Sequence, residues 1–265
     1  MRSHSPDAHP QHKPVTVSIV SHGQLELIRP LLEQLNALSA DMVDKVVLTI
    51  NIPEPDLLAG LRFRFPVERI ENSVAKGFGA NHNQAFNHCE SDWFLVLNPD
   101  IRFDSDVLAP LVTQAAPDAG LLAPRILEPG KNTPEQHRRV ITPLEILTRR
   151  RAGYPIPAVP DWIPGLFMMF RSSVYREIKG FDERYFMYGE DFDICARTQL
   201  AGWRLQIAED LLTRHEAQRA SRTSWRHLWW HVTSLLKVWA SGPFWRLKRL
   251  LRATQASGGT RGGQA

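Results

Sequence analysis

Two spacings of apolar residues, one typical of strands and one typical of helices, alternate along the first hundred positions. Short, nearly continuous apolar runs predict strands that are buried on both faces, and they cover residues 15–21, 45–50, 65–70 and 93–97. Helical spacing of leucine and isoleucine follows the first run, a helix is predicted over 79–88, and a short helix is predicted after Pro53 and Pro55. Strands that alternate with helices in this way predict an α/β fold with a mostly parallel sheet.

A further helix is predicted within the stretch FDERYFMYGEDFDICARTQLAGWRL, residues 181–205. Its apolar positions have the spacing of a helix that buries one face, Gly202 is expected to end it, and a strand is expected to follow. Glu190, Asp191 and Asp193 then lie in the first turn, where the helix dipole favours ionised acids.

The acids of this helix come directly after an aromatic run, Tyr185 to Tyr188. Acidic residues at a helix start commonly cap a surface helix. Carboxylates beside apolar surface are also candidates for a general base, because burial raises their pKa while the dipole lowers it. The residues alone leave both interpretations open, since structural charge clusters also perturb pKa values.

Two loops at predicted strand ends carry candidate ligand-binding residues. In KGFGANHN, residues 76–83, two glycines allow a tight turn into a helix whose free amides can face a phosphate, but the spacing matches neither a P-loop nor a dinucleotide fingerprint. Asn98-Pro99-Asp100 is ordinary turn chemistry. Asp100 nevertheless follows an apolar strand at the end where parallel sheets bind ligands, and carboxylates there suit Mg²⁺ or Mn²⁺.

Length and composition indicate one large core, or one domain with an appendage, in 265 residues of which 43% are hydrophobic. The two cysteines, Cys89 and Cys195, lie on predicted helices among apolar residues, so we expect no disulfide framework and a cytoplasmic location. The polar residues 1–14 hold no apolar run, so neither a signal peptide nor an anchor is expected there. Residues 1–14 and 253–265 are predicted to be disordered.

The formal net charge of +4 conceals an asymmetry along the chain. All 28 acids lie at or before Glu216, whereas residues 217–265 contain nine Lys or Arg and no acid. The first 216 residues therefore carry −5 and the remainder +9. This distribution predicts a mildly acidic body with a basic arm, rather than a nucleic-acid-binding protein.

The basic tail, residues 221–252, is predicted to form a Trp-rich amphipathic helix. Its five tryptophans are Trp225, Trp229, Trp230, Trp239 and Trp245. Its apolar side is predicted from Leu228, His231, Val232, Leu235, Leu236 and Trp239, with Gly242-Pro243 as a break. The sequence leaves three interpretations open: the helix contacts the inner face of the cytoplasmic membrane peripherally, packs on its own domain, or forms a homodimer contact.

Six segments in this order resemble family 2 glycosyltransferases, specifically the rhamnosyltransferase-like branch with a GT-A fold. They are VTVSIVSHG, KGFGANHNQAF, LVLNPDI, GLLAPRI, the run from PGLFMMF to AGW, and a later His215. The resemblance covers residues 15–220 and is strongest from Gly180 to Trp203. It implies a Rossmann-like, mostly parallel α/β sheet flanked by helices, with the tail as a C-terminal helical extension.

The resemblance also implies roles for particular residues. Asn98 and Asp100 resemble the motif that binds the metal and the diphosphate, and His215 resembles a late histidine that joins the metal site. The implied cofactor is a divalent metal, Mg or Mn. Asp191 resembles the general base, and Glu190 resembles its supporting neighbour.

A nucleotide-diphosphate sugar is the implied donor. The residues expected to bind it are Ser21, His22, Asn51, Lys76, Gly77, Asn98 and Asp100. The chain departs from many relatives at two of these places, because Asn51 stands near the position of an Asp that contacts the nucleoside and Ser21-His22-Gly23 replaces Asn-Tyr-Asn. The identity of the nucleotide therefore stays open.

The implied acceptor is a glycan or a lipid-linked glycan. The residues expected to bind it are Trp162, Gly165 and Tyr188. Before them lies a Pro-rich insertion, residues 128–160, which is predicted to be mostly a solvated loop. We hypothesise that part of this insertion folds over the donor as a lid, with Asp161 also at the acceptor mouth.

The expected function is an inverting transfer of a sugar by single displacement, and the resemblance alone favours rhamnose. The alternative is a catalytically inactive relative that binds a glycan or a nucleotide sugar. A sugar-1-phosphate nucleotidyltransferase would need a Gly-rich basic loop where SHGQLEL stands. No nucleic acid is expected as a partner, because only the basic aromatic tail favours one.

Overall fold

The computed structural model describes residues 13–149, 151, 153–154, 156–216 and 225–259. Its strands are β1 Val15–Ser21, β2 Val43–Ile50, β3 Val67–Glu71, β4 Trp93–Leu97, β5 Ile101–Arg102, β6 Ala119–Leu127, β7 Phe167–Arg171 and β8 Arg204–His215. Its helices are α1 Leu25–Leu38, α2 Phe78–Phe86, α3 Leu108–Thr113, α4 Pro143–Thr148, α5 Ser172–Glu177, α6 Glu190–Leu200, α7 Trp225–Ala240 and α8 Gly242–Gly259. Most of the predicted disordered N-terminus, residues 1–12, lies outside the described residues.

The strands form one mixed sheet in the order β3-β2-β1-β4-β7-β6-β8-β5. Parallel pairing joins β3, β2, β1 and β4, and it also joins β6 and β8. β7 and β5 run antiparallel to their neighbours. The carboxyl ends of β1, β2, β4, β6 and β8 therefore lie along one edge of the sheet, together with the start of β7.

Helices cover both faces of this sheet, as the doubly apolar strands require. On one face, α1 and α3 pack over residues such as Val17, Leu48 and Leu95. On the other face, α2, α5, α6, α7 and α8 pack over residues such as Phe94 and Phe170. The prediction of a mostly parallel α/β sheet is therefore confirmed.

Several local predictions differ from the structure. No helix follows Pro55, where residues 57–60 form a turn instead. Cys89 lies just after α2 rather than within it, and both cysteines are free and buried. β8 continues beyond the expected strand to His215, and α8 continues to Gly259 although disorder is predicted from residue 253.

The tail folds onto the body through α7 and α8. Val238, Phe244 and Leu247 are buried in the same core as α6. The predicted apolar side of α7 is divided, because Leu235 is partly buried whereas Val232 is 45% exposed. None of the described helices combines the length and the hydropathy needed to cross a bilayer.

The part of the Pro-rich insertion that precedes α4 is attached to the body. The backbone of Arg138 pairs with that of Trp162, and Val140 donates its N–H to Asp161 Oδ2 at 2.9 Å. Trp239 of α7 donates its Nε1–H to the carbonyl of Ile141 at 2.8 Å. Part of the segment that is predicted as a solvated loop is therefore hydrogen-bonded to the domain.

Candidate active site

A cleft of about 980 Å³ opens at the edge of the sheet where the parallel strands end. Residues that follow β1, β2, β4 and β6 line it, together with the last residue of β8, the loop before β7, the start of α6 and part of α7. The candidate residues on its wall are His22, Asn51, Lys76, Asn98, Asp100, Gly165, Tyr188, Glu190, Asp191 and His215. The cleft thus brings together residues that are far apart in sequence.

The loops that follow β1 and β2 are joined by the side chain of Asn51, which is 4% exposed. Asn51 Nδ2 donates to the carbonyl of Lys76 at 3.0 Å and lies 3.1 Å from His22 Nδ1. Asn51 Oδ1 accepts from the N–H of Lys76 at 2.8 Å. This amide therefore fixes the cleft wall on the expected donor side by joining three loops.

Ser21 and Gly77, which are also expected to bind the donor, shape the loops around the cleft. Ser21 is fully buried, and its Oγ accepts from the N–H of Gln24 at 3.1 Å in the turn before α1. At Gly77, a Cβ would lie 2.7 Å from the carbonyl oxygen of Phe186. The missing side chain at Gly77 therefore allows the loop before α2 to pack directly against the loop before α6.

An acid–imidazole–acid array lies where β4, β6 and β8 end. His215 Nε2 is 3.0 Å from Asp100 Oδ2, and His215 Nδ1 is 3.0 Å from Glu128 Oε1. Burial lowers the pKa of His215, but hydrogen bonds and charges from Asp100 and Glu128 outweigh it and raise the pKa to about 9. The other oxygen of Asp100, Oδ1, is buried without a hydrogen-bond partner.

Two adjacent carboxyl groups begin α6 on the cleft wall. Glu190 is 6% exposed, and its Oε2 is buried without a hydrogen-bond partner. Burial and then the charge of Asp191 raise the pKa of Glu190 to about 8. Because charging both groups in one desolvated place is unfavourable, the pair holds a proton at neutral pH and leaves one carboxylate ionised.

Backbone N–H groups and a nearby guanidinium stabilise the ionised form of Asp191. Its Oδ1 accepts from the N–H of Phe192 at 2.8 Å, and its Oδ2 lies 3.4 Å from the N–H of Gly165. Burial raises the pKa of Asp191, whereas these N–H groups and the charge of Arg138 lower it. Asp191 is therefore the more readily ionised carboxyl and is available to accept a proton.

The third acid of the helix and one expected acceptor residue lie away from the cleft. Asp193 is 2% exposed and pairs with Arg197 at 2.7 Å, one turn along α6. Trp162 is 5% exposed, and its Nε1–H donates to the carbonyl of Arg139 at 2.8 Å. Its large apolar ring is buried while its N–H is satisfied, so Trp162 anchors the insertion instead of lining the acceptor mouth.

Sequence reasoning missed several residues of the cleft wall. They are Phe78, His82, Glu128, Arg138, Trp230 and His231. Glu128 directly follows β6, so its place at a strand end was a usable signal. Trp230 and His231 reach the cleft through the fold of the tail, and nothing in their local spacing indicates that contact.

His82 lies at the base of the cleft and is fixed there. Its Nδ1 is 2.8 Å from Ser18 Oγ, and its ring contacts Phe78 edge-on at 4.5 Å between centroids. Burial lowers the pKa of His82 to about 3. The imidazole is therefore neutral at physiological pH.

Among the described residues, no three His, Cys, Asp or Glu groups form an arrangement able to hold a metal ion by themselves. The array at Asp100 is therefore not a metal site formed by protein ligands alone. Magnesium-type sites commonly use only one or two protein ligands, with substrate phosphates supplying others.

Family models and related sequences identify the class of this protein. A family model described as Glycosyl transferase family 2 matches residues 16–177, and one described as N-terminal domain of galactosyltransferase matches residues 156–223. The chain is 29% identical over 247 residues to the rhamnosyltransferase WbbL of Escherichia coli (strain K12), covering 85% of this chain and 92% of the relative. It is 28% identical over 163 residues to an N-acetylglucosaminyl-diphospho-decaprenol L-rhamnosyltransferase of Mycobacterium tuberculosis (strain ATCC 25618 / H37Rv), covering 54% and 53%.

Solved structures define the fold class. The mannosyltransferase PcManGT from Pyrobaculum calidifontis, in complex with GDP-Man and Mn²⁺, superposes with a TM-score of 0.63 at 17% identity, over 97% of this chain and 78% of that chain. GalNAc-T7 with UDP, GalNAc and Mn²⁺ gives a TM-score of 0.58 at 15% identity, over 78% and 44%. The fold is that of the GT-A glycosyltransferases. Within that class, the chain belongs to glycosyltransferase family 2 and resembles its rhamnosyltransferase-like branch.

Proposed function

We propose that this protein is an inverting glycosyltransferase that moves a sugar from a nucleotide-diphosphate donor to a glycan hydroxyl. The observation that carries the proposal is the cleft itself, because Asp191 and the Asp100–His215 pair line the same cavity. A proton acceptor and a site for a leaving diphosphate are the two parts that a single displacement needs. The transferase class rests on the family, and the roles of these residues are our proposal.

The ends of β4 and β8 fit a divalent metal. Asp100 and His215 would hold it with the donor diphosphate once His215 has lost its proton, and Asn98 lies beside them on the cleft wall. The buried oxygen Asp100 Oδ1 has no hydrogen-bond partner, and carboxylate and imidazole ligands suit Mn²⁺ or Mg²⁺. Both similar structures described above contain Mn²⁺. When bound, the metal would neutralise negative charge on the departing diphosphate.

The proposed chemistry at the other side of the cleft uses the carboxyl pair of α6. The acceptor hydroxyl oxygen forms a bond to the anomeric carbon while the bond from that carbon to the diphosphate oxygen breaks. Asp191 takes the hydroxyl proton, and the diphosphate leaves with the electron pair. Glu190, protonated at neutral pH, avoids a second negative charge beside Asp191. One displacement of this kind inverts the anomeric carbon.

The similar sequences support a particular donor and acceptor. Two of them are rhamnosyltransferases, and one name specifies an N-acetylglucosaminyl diphosphate on a decaprenol lipid. We therefore propose deoxythymidine-diphosphate-rhamnose as the donor and a lipid-linked glycan as the acceptor. His22, Lys76 and the array at Asp100 form the proposed donor side of the cleft.

A lipid-linked acceptor requires the protein to work at a membrane surface, and we propose that the outer side of α7 and α8 contacts it. Val232 and Leu236 of α7 are 45% and 57% exposed, and Trp245 of α8 is 48% exposed. α8 also exposes Arg246 and Arg249, and no acid follows Glu216 in the chain. Apolar side chains among cations suit the interface of an anionic bilayer.

Vesicle flotation tests this contact without deleting the helices, which are part of the core. We expect the wild type to float with vesicles of phosphatidylcholine and phosphatidylglycerol. The double variant Val232→Ser/Leu236→Ser should float less, because it loses apolar area while keeping the charges. Equal flotation of both proteins would remove this surface from the proposal.

The decisive test of the catalytic proposal is Asp191→Asn. We expect loss of at least about 10²-fold in kcat, in line with general-base contributions, while donor binding with Mn²⁺ is retained in a thermal-shift assay. Asn is nearly isosteric with Asp but cannot accept the proton. Near-wild-type turnover by the variant would assign the base elsewhere. Donor binding by the wild type without transfer to any acceptor tested would favour the inactive, binding-only alternative.

A further inference from the structure

α7 presents an aromatic wall to the active-site cleft. Trp230 and His231 both line the cavity that holds Asp191. The ring of His231 stacks on Tyr188 with 3.5 Å between centroids and 13° between planes. The ring of Trp230 lies 5.3 Å from that of Phe186. These two ring pairs line the same cleft as the start of α6.

The same helix fixes the loop that leads into the catalytic acids. Lys237 Nζ donates to the carbonyl of Arg184 at 2.8 Å, and Ser234 Oγ donates to the carbonyl of Met187 at 2.8 Å. Val238 packs so close to Gly189 that a Cβ there would lie 2.9 Å from its Cγ2. These contacts recur at successive turns of α7, so one side of the helix follows the loop along its length.

The loop held by α7 has an unusual backbone. Tyr188 adopts φ 70° and Gly189 adopts φ 87°, immediately before Glu190. A tyrosine in the left-handed region persists only where surrounding contacts fix it, and such positions concentrate at ligand sites. Stacking on His231 is one of those contacts. The geometry therefore orients the aromatic wall relative to Asp191, rather than leaving it on a mobile loop.

We infer that Trp230 and His231, with Phe186 and Tyr188, form the acceptor subsite and that it binds a pyranose ring of the acceptor glycan. The C–H face of a sugar ring is apolar and packs against aromatic rings, while imidazole and phenol groups bind its hydroxyls. This wall adjoins Asp191, whereas the proposed diphosphate site lies at the ends of β4 and β8. The inference rests on the proposed function. It adds a subsite on a helix that begins after both family-model matches end.

The chain provides a matched control for the central residue. Trp229 is the preceding residue on the same helix and is 68% exposed, whereas Trp230 lines the cleft. Trp229→Ala and Trp230→Ala thus remove the same side chain from two sides of α7. Trp230→Phe retains an aromatic ring and serves as the conservative variant.

The experiment measures rhamnose transfer from deoxythymidine-diphosphate-rhamnose to a water-soluble, short-chain N-acetylglucosaminyl diphosphate lipid. We expect Trp230→Ala to raise the acceptor KM about tenfold, the effect of losing a buried aromatic contact, with kcat much less affected. Trp230→Phe should recover most of the affinity, His231→Ala should also raise the acceptor KM, and Trp229→Ala should match the wild type. Donor-induced thermal shifts should be equal in all five proteins.

The outcomes separate the subsite from the function on which it rests. If the wild type transfers rhamnose and Trp230→Ala has the same acceptor KM as Trp229→Ala, the subsite inference is wrong. A reduced donor shift in Trp230→Ala would likewise contradict a wall that is specific for the acceptor. If the wild type transfers nothing, the proposed function fails, and the subsite fails with it.

Discussion

The raised pKa of Glu190 predicts how the free energy of unfolding depends on pH. Its pKa is raised from 4.5 to about 8 by burial and by the charge of Asp191. A carboxyl whose pKa is higher in the folded state stabilises that state most below its unfolded pKa, and this contribution is lost as the pH rises through the folded pKa. Glu190 should therefore make the protein progressively less stable between pH 4.5 and about pH 8.

Replacing this carboxyl by an amide isolates its contribution. Glu190→Gln keeps the size of the side chain and cannot ionise. At about 1.36 kcal/mol per pH unit, ionising a group with this shift costs up to about 5 kcal/mol of unfolding free energy above pH 8. Glu190→Gln should therefore differ little from the wild type near pH 4.5. It should be more stable by several kcal/mol near pH 9.

Urea denaturation followed by tryptophan fluorescence at pH 4.5, 6, 7, 8 and 9 provides the measurement. The quantity to compare is the difference in unfolding free energy between Glu190→Gln and the wild type at each pH, since this difference cancels the titration of distant groups. Glu26→Gln serves as the control, because Glu26 is an exposed residue of α1. A Glu190→Gln difference that stays constant with pH would refute the raised pKa and, with it, the account of the carboxyl pair.

Two further predictions concern contacts that hold the cleft loops in place. Gly77→Ala should destabilise the protein by about 1–3 kcal/mol in thermal or urea unfolding, because its Cβ would lie 2.7 Å from the carbonyl oxygen of Phe186. It should also weaken the donor-induced thermal shift, and an unchanged shift would contradict the close packing of these two loops. Asn83→Ala should cost about 2–4 kcal/mol, because Asn83 Oδ1 accepts from the hydroxyl of Tyr175 and the N–H of Phe181, each at 2.8 Å. A loss below about 0.5 kcal/mol, typical of ordinary surface substitutions, would show that other groups or water replace those bonds.

Local patterns predicted the elements that build the sheet and the acidic helix. β1 and β4 have the predicted bounds, Val15–Ser21 and Trp93–Leu97, because an apolar run buried on both faces leaves little choice of structure. The acids at the start of α6 were evident because three carboxyl groups stand directly before a helical apolar period. Their placement on the cleft wall is a result of the structure, since the residues alone left a simple helix cap equally open.

Residues that reach the cleft through tertiary contacts were harder to predict. Glu128 follows β6, yet its contact with His215 depends on the parallel pairing of β6 with β8. Trp162 was expected at the acceptor mouth, but its large ring is buried and its N–H donates to the carbonyl of Arg139.

The helix α7 shows why amphipathic period alone is insufficient. The period correctly predicted a helix, but one predicted apolar side proved to be two surfaces with different neighbours. Ser234 and Val238, neither of which was assigned to that side, face the loop before α6 and are buried. Val232 and Leu236 stay exposed. A single helix can therefore hold the catalytic loop on one side and present apolar residues on another, and only the packing of the tail on α6 distinguishes the two.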